Sequence, residues 1–191
     1  MRSSNGDAMT GDPSSREVRQ ENRRISIVAA KPAHVPTIHS MVLALAEYEK
    51  LTHLVTGTAQ DLERELFGTS PVIEAVVACC EEAPVGYALY FHNYSTFLAR
   101  KGLYLEDVYV RPEFRHQGIG RTMLTHLARL AVERGCGRFE WSVLDWNTPA
   151  IRFYQGLGAE ILPEWRIVRV TGSALQTLAL SQRRLDPAAH R

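Results

Sequence analysis

The chain has 191 residues, with 22 Lys and Arg against 21 Asp and Glu, a formal net charge of +1 and 45% hydrophobic residues. That length and composition suit one globular domain with an ordinary core. The near-cancelling charge gives no support to a nucleic-acid partner or an acidic membrane surface, no apolar run is long enough to span a bilayer, and the polar start lacks the apolar segment of a signal peptide.

Residues 1–23 are rich in Ser, Gly, Asp, Asn and Arg. They cannot bury enough surface to offset ordering and are expected to form a flexible arm. A single domain is expected over residues 24–182, followed by a polar tail at 183–191. Ile25–Ala30 reads as the first strand, broken by Lys31-Pro32. Val35, Ile38, Met41, Val42 and Leu45 then recur at helical spacing, which predicts a helix from Val35 to Lys50. Thr58 followed by Asp61 resembles a capping box and predicts a short helix to about Phe67. Pro71–Cys80, Pro84–Phe91 and Leu103–Val110 read as successive strands, the first two joined by a short turn that favours antiparallel pairing. His92 to Lys101 is expected to be a loop whose aromatics lie against a substrate site or a partner subunit.

After a helix starting near Ile119, Gly135-Cys136-Gly137 stops the pattern. Phe139–Leu144 reads as a strand, and Thr148-Pro149 as the N-cap and first position of another helix, with Asn147 as an alternative cap. That helix must end at Gly156 or Gly158. Trp165–Val170 is expected to supply a final strand and Ser173–Leu180 a short amphipathic segment. Strand pairs followed by strand–helix alternation give a mixed sheet with helices on both faces. The three cysteines, Cys79, Cys80 and Cys136, lack metal-ligand spacing, and none of the seven His has partners that suggest a metal. A reducing cytoplasm is the expected compartment.

The chain is organised around Leu103 to Arg121, which reads as strand, glycine loop and helix start. Pro112 cannot donate to a ladder, so the strand should stop near it. Ile119, Met123, Leu124, Leu127, Leu130 and Ala131 form one helical stripe. The backbone N–H groups at such a helix start, with the dipole behind them, cradle an anion. A Walker A loop is excluded because Arg115 stands at its first Gly position, and a dinucleotide loop because Met123 stands at its third.

What remains, Arg115-x-x-Gly118-x-Gly120, resembles the pyrophosphate-binding motif of the GNAT family of N-acetyltransferases. Residues 145–159, running from Asp145 through Asn147, Phe153, Tyr154 and Gly158 to Ala159, resemble that family's second signature. Tyr104-Leu105-Glu106-Asp107 is similar to its diamine (spermidine/spermine-type) branch. The resemblance covers roughly residues 25–170. It implies an α/β (α+β) fold with a mixed, mostly antiparallel central sheet, acetyl-CoA as co-substrate without a metal, and a homodimer. Carried over residue by residue, it implies that Val108 and Val110 bind the pantetheine arm through their backbones. Amides of His116, Gln117, Gly118, Ile119, Gly120 and Arg121 would hold the pyrophosphate. Asn147 would hydrogen-bond the arm, and Arg115 or Arg121 could add charge against the phosphates, although either cation could simply be solvated.

Acetyl transfer to an amine requires a neutral nucleophile and a stabilised leaving thiolate. A reference ammonium has a pKa of about 10.4, so a carboxylate must take its proton. Glu106 is the candidate base. Simple alternation places Glu106 with Tyr104, Val108 and Val110, and Asp107 with Leu105 and Tyr109. Both carboxylates line one site only if a bulge re-aims one of them, and the resemblance implies such a distortion. The plain alternative is that one of them is a solvated strand residue. Tyr154 is the candidate general acid toward the thiolate, the alternative being a core pair with Phe153. Direct attack in a ternary complex follows; a route through Cys136 lacks an activating base.

Tyr48, Glu49 and Trp165 match residues near the amine site of the diamine branch, and Glu49, Glu106 and Asp107 together would favour a dicationic small-molecule amine. Glu49 could equally be the charged end of a helix. The Asp-Pro-Trp of animal polyamine enzymes is replaced by Asn93 to Phe97, so a shorter diamine, a lysine analogue or another primary amine fits as well as a polyamine. The competing readings are a non-catalytic acyl-CoA-binding or sensing module, and acetylation of a protein or drug amine.

Overall fold

The computed structural model describes residues 24–181. The expected arm at 1–23 and tail at 183–191 lie outside the described residues. These divide into two compact units, one ending at Ser142 and one beginning at Val143.

The first unit is built on five strands in the order β1 (Ile25–Ala29), β2 (Glu74–Cys80), β3 (Ala83–Ser95), β4 (Arg100–Val110) and β5 (Phe139–Trp141). The first four pair antiparallel; β4 and β5 run parallel. This is the expected mixed, mostly antiparallel sheet. Helices α1 (Val35–Tyr48) and α2 (Ala59–Phe67) cover one face, where Val35, Ile38, Met41 and Leu66 are buried against Val77, Tyr87, Leu89 and Tyr109. Each such apolar side chain contributes roughly 1.5–3 kcal/mol of transfer free energy. Helix α3 (Ile119–Glu133) packs across β1 to β4, burying Ile119, Met123, Leu124, Leu127 and Ala131. The α2 capping box forms as expected: Asp61 N–H donates to Thr58 Oγ1 at 3.2 Å and Thr58 N–H donates to Asp61 Oδ2 at 3.0 Å.

Several boundaries differ from the sequence expectation. Helix α1 stops at Tyr48, and Lys50 takes a positive φ of 61°. Strand β2 begins at Glu74 because the preceding amides of Val72 and Ile73 are spent on the Glu65 carbonyl. The expected loop at His92–Lys101 is mostly ladder: His92 to Ser95 pairs with Leu103 to Arg100, leaving a tight turn at Thr96–Ala99. Its aromatics Tyr94 and Phe97 are exposed. Strand β5 ends at Trp141, short of Leu144.

The second unit holds α4 (Thr148–Gln155) and α5 (Gly172–Leu180). Asn147, and not Thr148, is the α4 cap, its Oδ1 accepting from Ala150 N–H at 3.3 Å. Gly156 caps the other end. The expected strand at Trp165–Val170 does not form. Its residues are exposed, and among the described residues the one backbone bond given by an amide in it joins Trp165 N–H to the Leu162 carbonyl. β-Propensity reports fit to a pleated, half-buried surface, and this apolar run has no ladder partner among the described residues.

Candidate active site

Strand β4 carries the distortion on which the site depends. Leu89 of β3 pairs with Asp107, but Tyr90 pairs with Leu105, so Glu106 is an inserted residue opposite no partner. The insertion reverses the alternation along the strand. Tyr104, Asp107 and Tyr109, opposite Phe91, Leu89 and Tyr87, lie on the α1–α2 face; Leu103, Leu105, Val108 and Val110 lie on the α3 face. The simple alternation that grouped Glu106 with Tyr104 and Val108, and Asp107 with Leu105, is thereby corrected. A signal was present: apolar positions 103, 105, 108 and 110 are spaced 2, 3, 2, and the central 3 marks the extra residue.

The bulge gives the two adjacent carboxylates different surroundings. Glu106 is exposed, whereas Asp107 is half-buried and 3.5 Å from the Tyr87 hydroxyl, itself fully buried. Burial, then the charges of Glu106 and Glu49, push the Asp107 carboxyl up to about 6, against the opposing effect of the Tyr87 hydroxyl. Glu49, just past the end of α1, is also raised by burial. Glu106 and Glu49 therefore both act on Asp107 where α1 ends over β4. Tyr87 was not singled out in the sequence, because a Tyr in the run Val85–Leu89 reads as an ordinary core aromatic and its register against Tyr109 is a tertiary property.

The other edge of β4 is open along most of its length. Among the described residues, β5 pairs only with Leu103 to Leu105, so Glu106 to Val110 have no strand on that side. Beyond Val110 a 3₁₀ turn (Pro112–Phe114) leads into the glycine loop. His116 and Gly118 take positive φ of 62° and 79°, and Gly118 is the N-cap of α3 without a side-chain cap bond. Thr122 N–H is the first to reach back, to the Gly118 carbonyl at 3.0 Å. The amides of Ile119, Gly120 and Arg121 precede that first bond and project from the helix start. An unpaired strand edge continuing into an uncapped glycine loop fits an extended amide-bearing arm ending in a diphosphate, so the expected coenzyme suits these residues. Gln117 Nε2 donates to the Glu113 carbonyl at 3.2 Å, and Arg121 is exposed.

Arg115 packs against the end of α1 and the end of β4. Its Nε donates to the Val110 carbonyl at 2.9 Å, and its guanidinium carbon lies 5.2 Å from the Tyr48 ring centre and 5.4 Å from that of Tyr109. Tyr48, Glu49, Glu106, Asp107, Val108, Val110 and the loop from Arg115 to Arg121 all belong to the first unit. Asn147, Tyr154 and Trp165 belong to the second. There Tyr154 is buried with its ring 5.4 Å from that of Phe153, and Trp165 is exposed.

The match to the acetyltransferase (GNAT) family spans residues 43–159, well over half of the chain. The chain belongs to the GNAT acetyltransferase family. It is 40% identical over 166 residues to the thialysine N-epsilon-acetyltransferase of Sus scrofa, covering 81% of this chain and 97% of that protein. It is 34% identical over 194 residues to the L-ornithine N5-acetyltransferase NATA1 of Arabidopsis thaliana, covering 78% and 85%. Among solved structures, an integron cassette protein from the mobile metagenome of V. cholerae superposes with a TM-score of 0.69 at 25% identity, covering 82% and 98%. This GNAT protein is an N-acetyltransferase that acts on amines.

Proposed function

We propose that the protein transfers an acetyl group from acetyl-CoA to the terminal primary amine of a small diamine-type acceptor, by direct attack in a ternary complex. Acetyl-CoA supplies the activated acyl group as a thioester. The open edge of β4 at Val108 and Val110 supports backbone pairing with the pantetheine arm, and the amides from His116 to Arg121 support the diphosphate. Asn147 adds a hydrogen bond to the arm.

The observation that carries this reading is the acidic group of Glu106, Asp107 and Glu49, gathered by the β4 bulge and the end of α1. Three carboxylates attract a dication, and Glu106, exposed at the bulge, takes the ammonium proton directly or through a water. Asp107, with a carboxyl at about 6, remains mostly ionised at neutral pH and holds the positive end of the acceptor in place. Tyr48 and Trp165 add aromatic surface. The Tyr154 hydroxyl donates to the leaving thiolate.

The relatives that act on L-ornithine and thialysine favour an amino acid with a terminal amine over spermidine or spermine. A sensing module that only bound acyl-CoA would need neither Glu106 nor Tyr154. The test is thiol release from acetyl-CoA across ornithine, lysine, thialysine, putrescine, spermidine and lysine-containing peptides. Fastest turnover with the amino acids is expected; turnover with peptides alone would contradict the acceptor class.

A further inference from the structure

We infer that Arg115 recognises the carboxylate of an amino-acid acceptor and so sets the preference for that acceptor over the corresponding decarboxylated diamine. This rests on the proposed function and specifies its substrate.

Three contacts fix the guanidinium: the Nε bond to the Val110 carbonyl, and the rings of Tyr48 and Tyr109. The residue is only half-buried, so the contacts orient the group without removing it from solvent. Both terminal nitrogens lack an acceptor among the described residues, and Arg115 takes part in none of the ion pairs there. A planar fork held by its Nε, with no acceptor at either Nη among the described residues, is pre-organised for a bidentate oxyanion, because little side-chain freedom remains to be lost on binding.

Its position decides which oxyanion. Tyr109 lies on the α1–α2 face of the sheet, two residues from Asp107, and Tyr48 precedes Glu49. The guanidinium thus packs against the sheet face that carries Asp107 and beside the helix end that carries Glu49. Yet, among the described residues, it forms no ion pair with Glu49, Glu106 or Asp107. The carboxylates and a cation in no ion pair with them therefore share one neighbourhood, a pattern complementary to a molecule bearing ammonium groups and one carboxylate. A diamine without a carboxylate would leave the cation unmatched.

The experiment compares kcat/KM for ornithine and putrescine, and for lysine and cadaverine, in the wild-type enzyme and in Arg115→Gln and Arg115→Lys, with the KM for acetyl-CoA measured alongside. The wild type is expected to favour each amino acid by about tenfold or more, and Arg115→Gln to reduce that ratio by about tenfold through KM for the amino acid. Arg115→Lys, which keeps the charge but not the fork, should retain an intermediate ratio, and it serves alone if the Gln variant fails to fold. An unchanged ratio in either folded variant would overturn the assignment. So would an unchanged ratio with a large rise in KM for acetyl-CoA, which would give the guanidinium to a coenzyme phosphate. Wild-type turnover of amines other than these four, with none of these four accepted, would overturn the acceptor class and the assignment with it. Coenzyme binding without turnover of any amine would overturn the proposed function.

Discussion

The Tyr87 hydroxyl stands 3.5 Å from the Asp107 carboxylate across the β3–β4 ladder, where the carboxylate raises the tyrosine's pKa and the hydroxyl, by hydrogen bonding, lowers that of the aspartate against the larger effect of burial. Tyr87 is held in its neutral, donating form by burial and by the Asp107 charge. Asp107 remains a carboxylate that takes up a proton near pH 6.

That shift makes Asp107 a cost to folding whenever it is ionised. Its carboxyl lies at about 6 in the folded chain against an ordinary 3.8, so its contribution is most favourable below about pH 4 and is lost as pH rises through 6. Asp107→Asn should therefore be more stable than wild type at pH 7, by at most about 3 kcal/mol, and no more stable at pH 3.5. Chemical unfolding at the two pH values checks this. Its activity on a diamine-type acceptor should fall even as its stability rises.

Glu106→Gln removes the group assigned to the ammonium proton while leaving the bulge, which is a backbone feature, in place. The expected result is a fall in kcat of about 100-fold and a change in the shape of the rate–pH profile. A full pH profile of kcat/KM gives the answer; a profile superimposable on the wild type would remove Glu106 as the base.

Gly118 has open space where a Cβ would stand, so the cost of Gly118→Ala comes from its φ of +79° and not from a clash. Destabilisation of about 1 kcal/mol is expected. The larger effect should be on acetyl-CoA, because relaxing the cap re-aims the amides that follow it. Calorimetric titration with coenzyme A should show binding weakened about tenfold.

Tyr154→Phe keeps the buried ring and its contact with Phe153 and deletes one oxygen. We expect kcat to fall about 10- to 1000-fold with little change in coenzyme binding. Unchanged turnover would refute the general-acid role.

The mixed, mostly antiparallel sheet and the glycine loop were legible in the sequence because each rests on a local rule: alternation, helical period, or the demand for φ > 0 at Gly118. The α2 capping box at Thr58 and Asp61 was legible for the same reason. What escaped depends on pairing between distant segments. Tyr87 meets Asp107 only because of the β3–β4 register, and Tyr48 meets Arg115 only because α1 ends beside the loop after β4. At Trp165–Val170 the error ran the other way: β-forming residues were read as a strand, but a strand exists only where another edge receives it. The hairpin at His92–Lys101 was misread because its polar and aromatic residues look like loop, although alternation continues through them.

The most direct test of the account is steady-state release of coenzyme A thiol from acetyl-CoA in the presence of ornithine, with the product identified by mass spectrometry. The expected result is one thiol per acetylated acceptor, the acetyl group on the terminal amine. Coenzyme binding without thiol release, for ornithine and for every other primary amine tried, would contradict it.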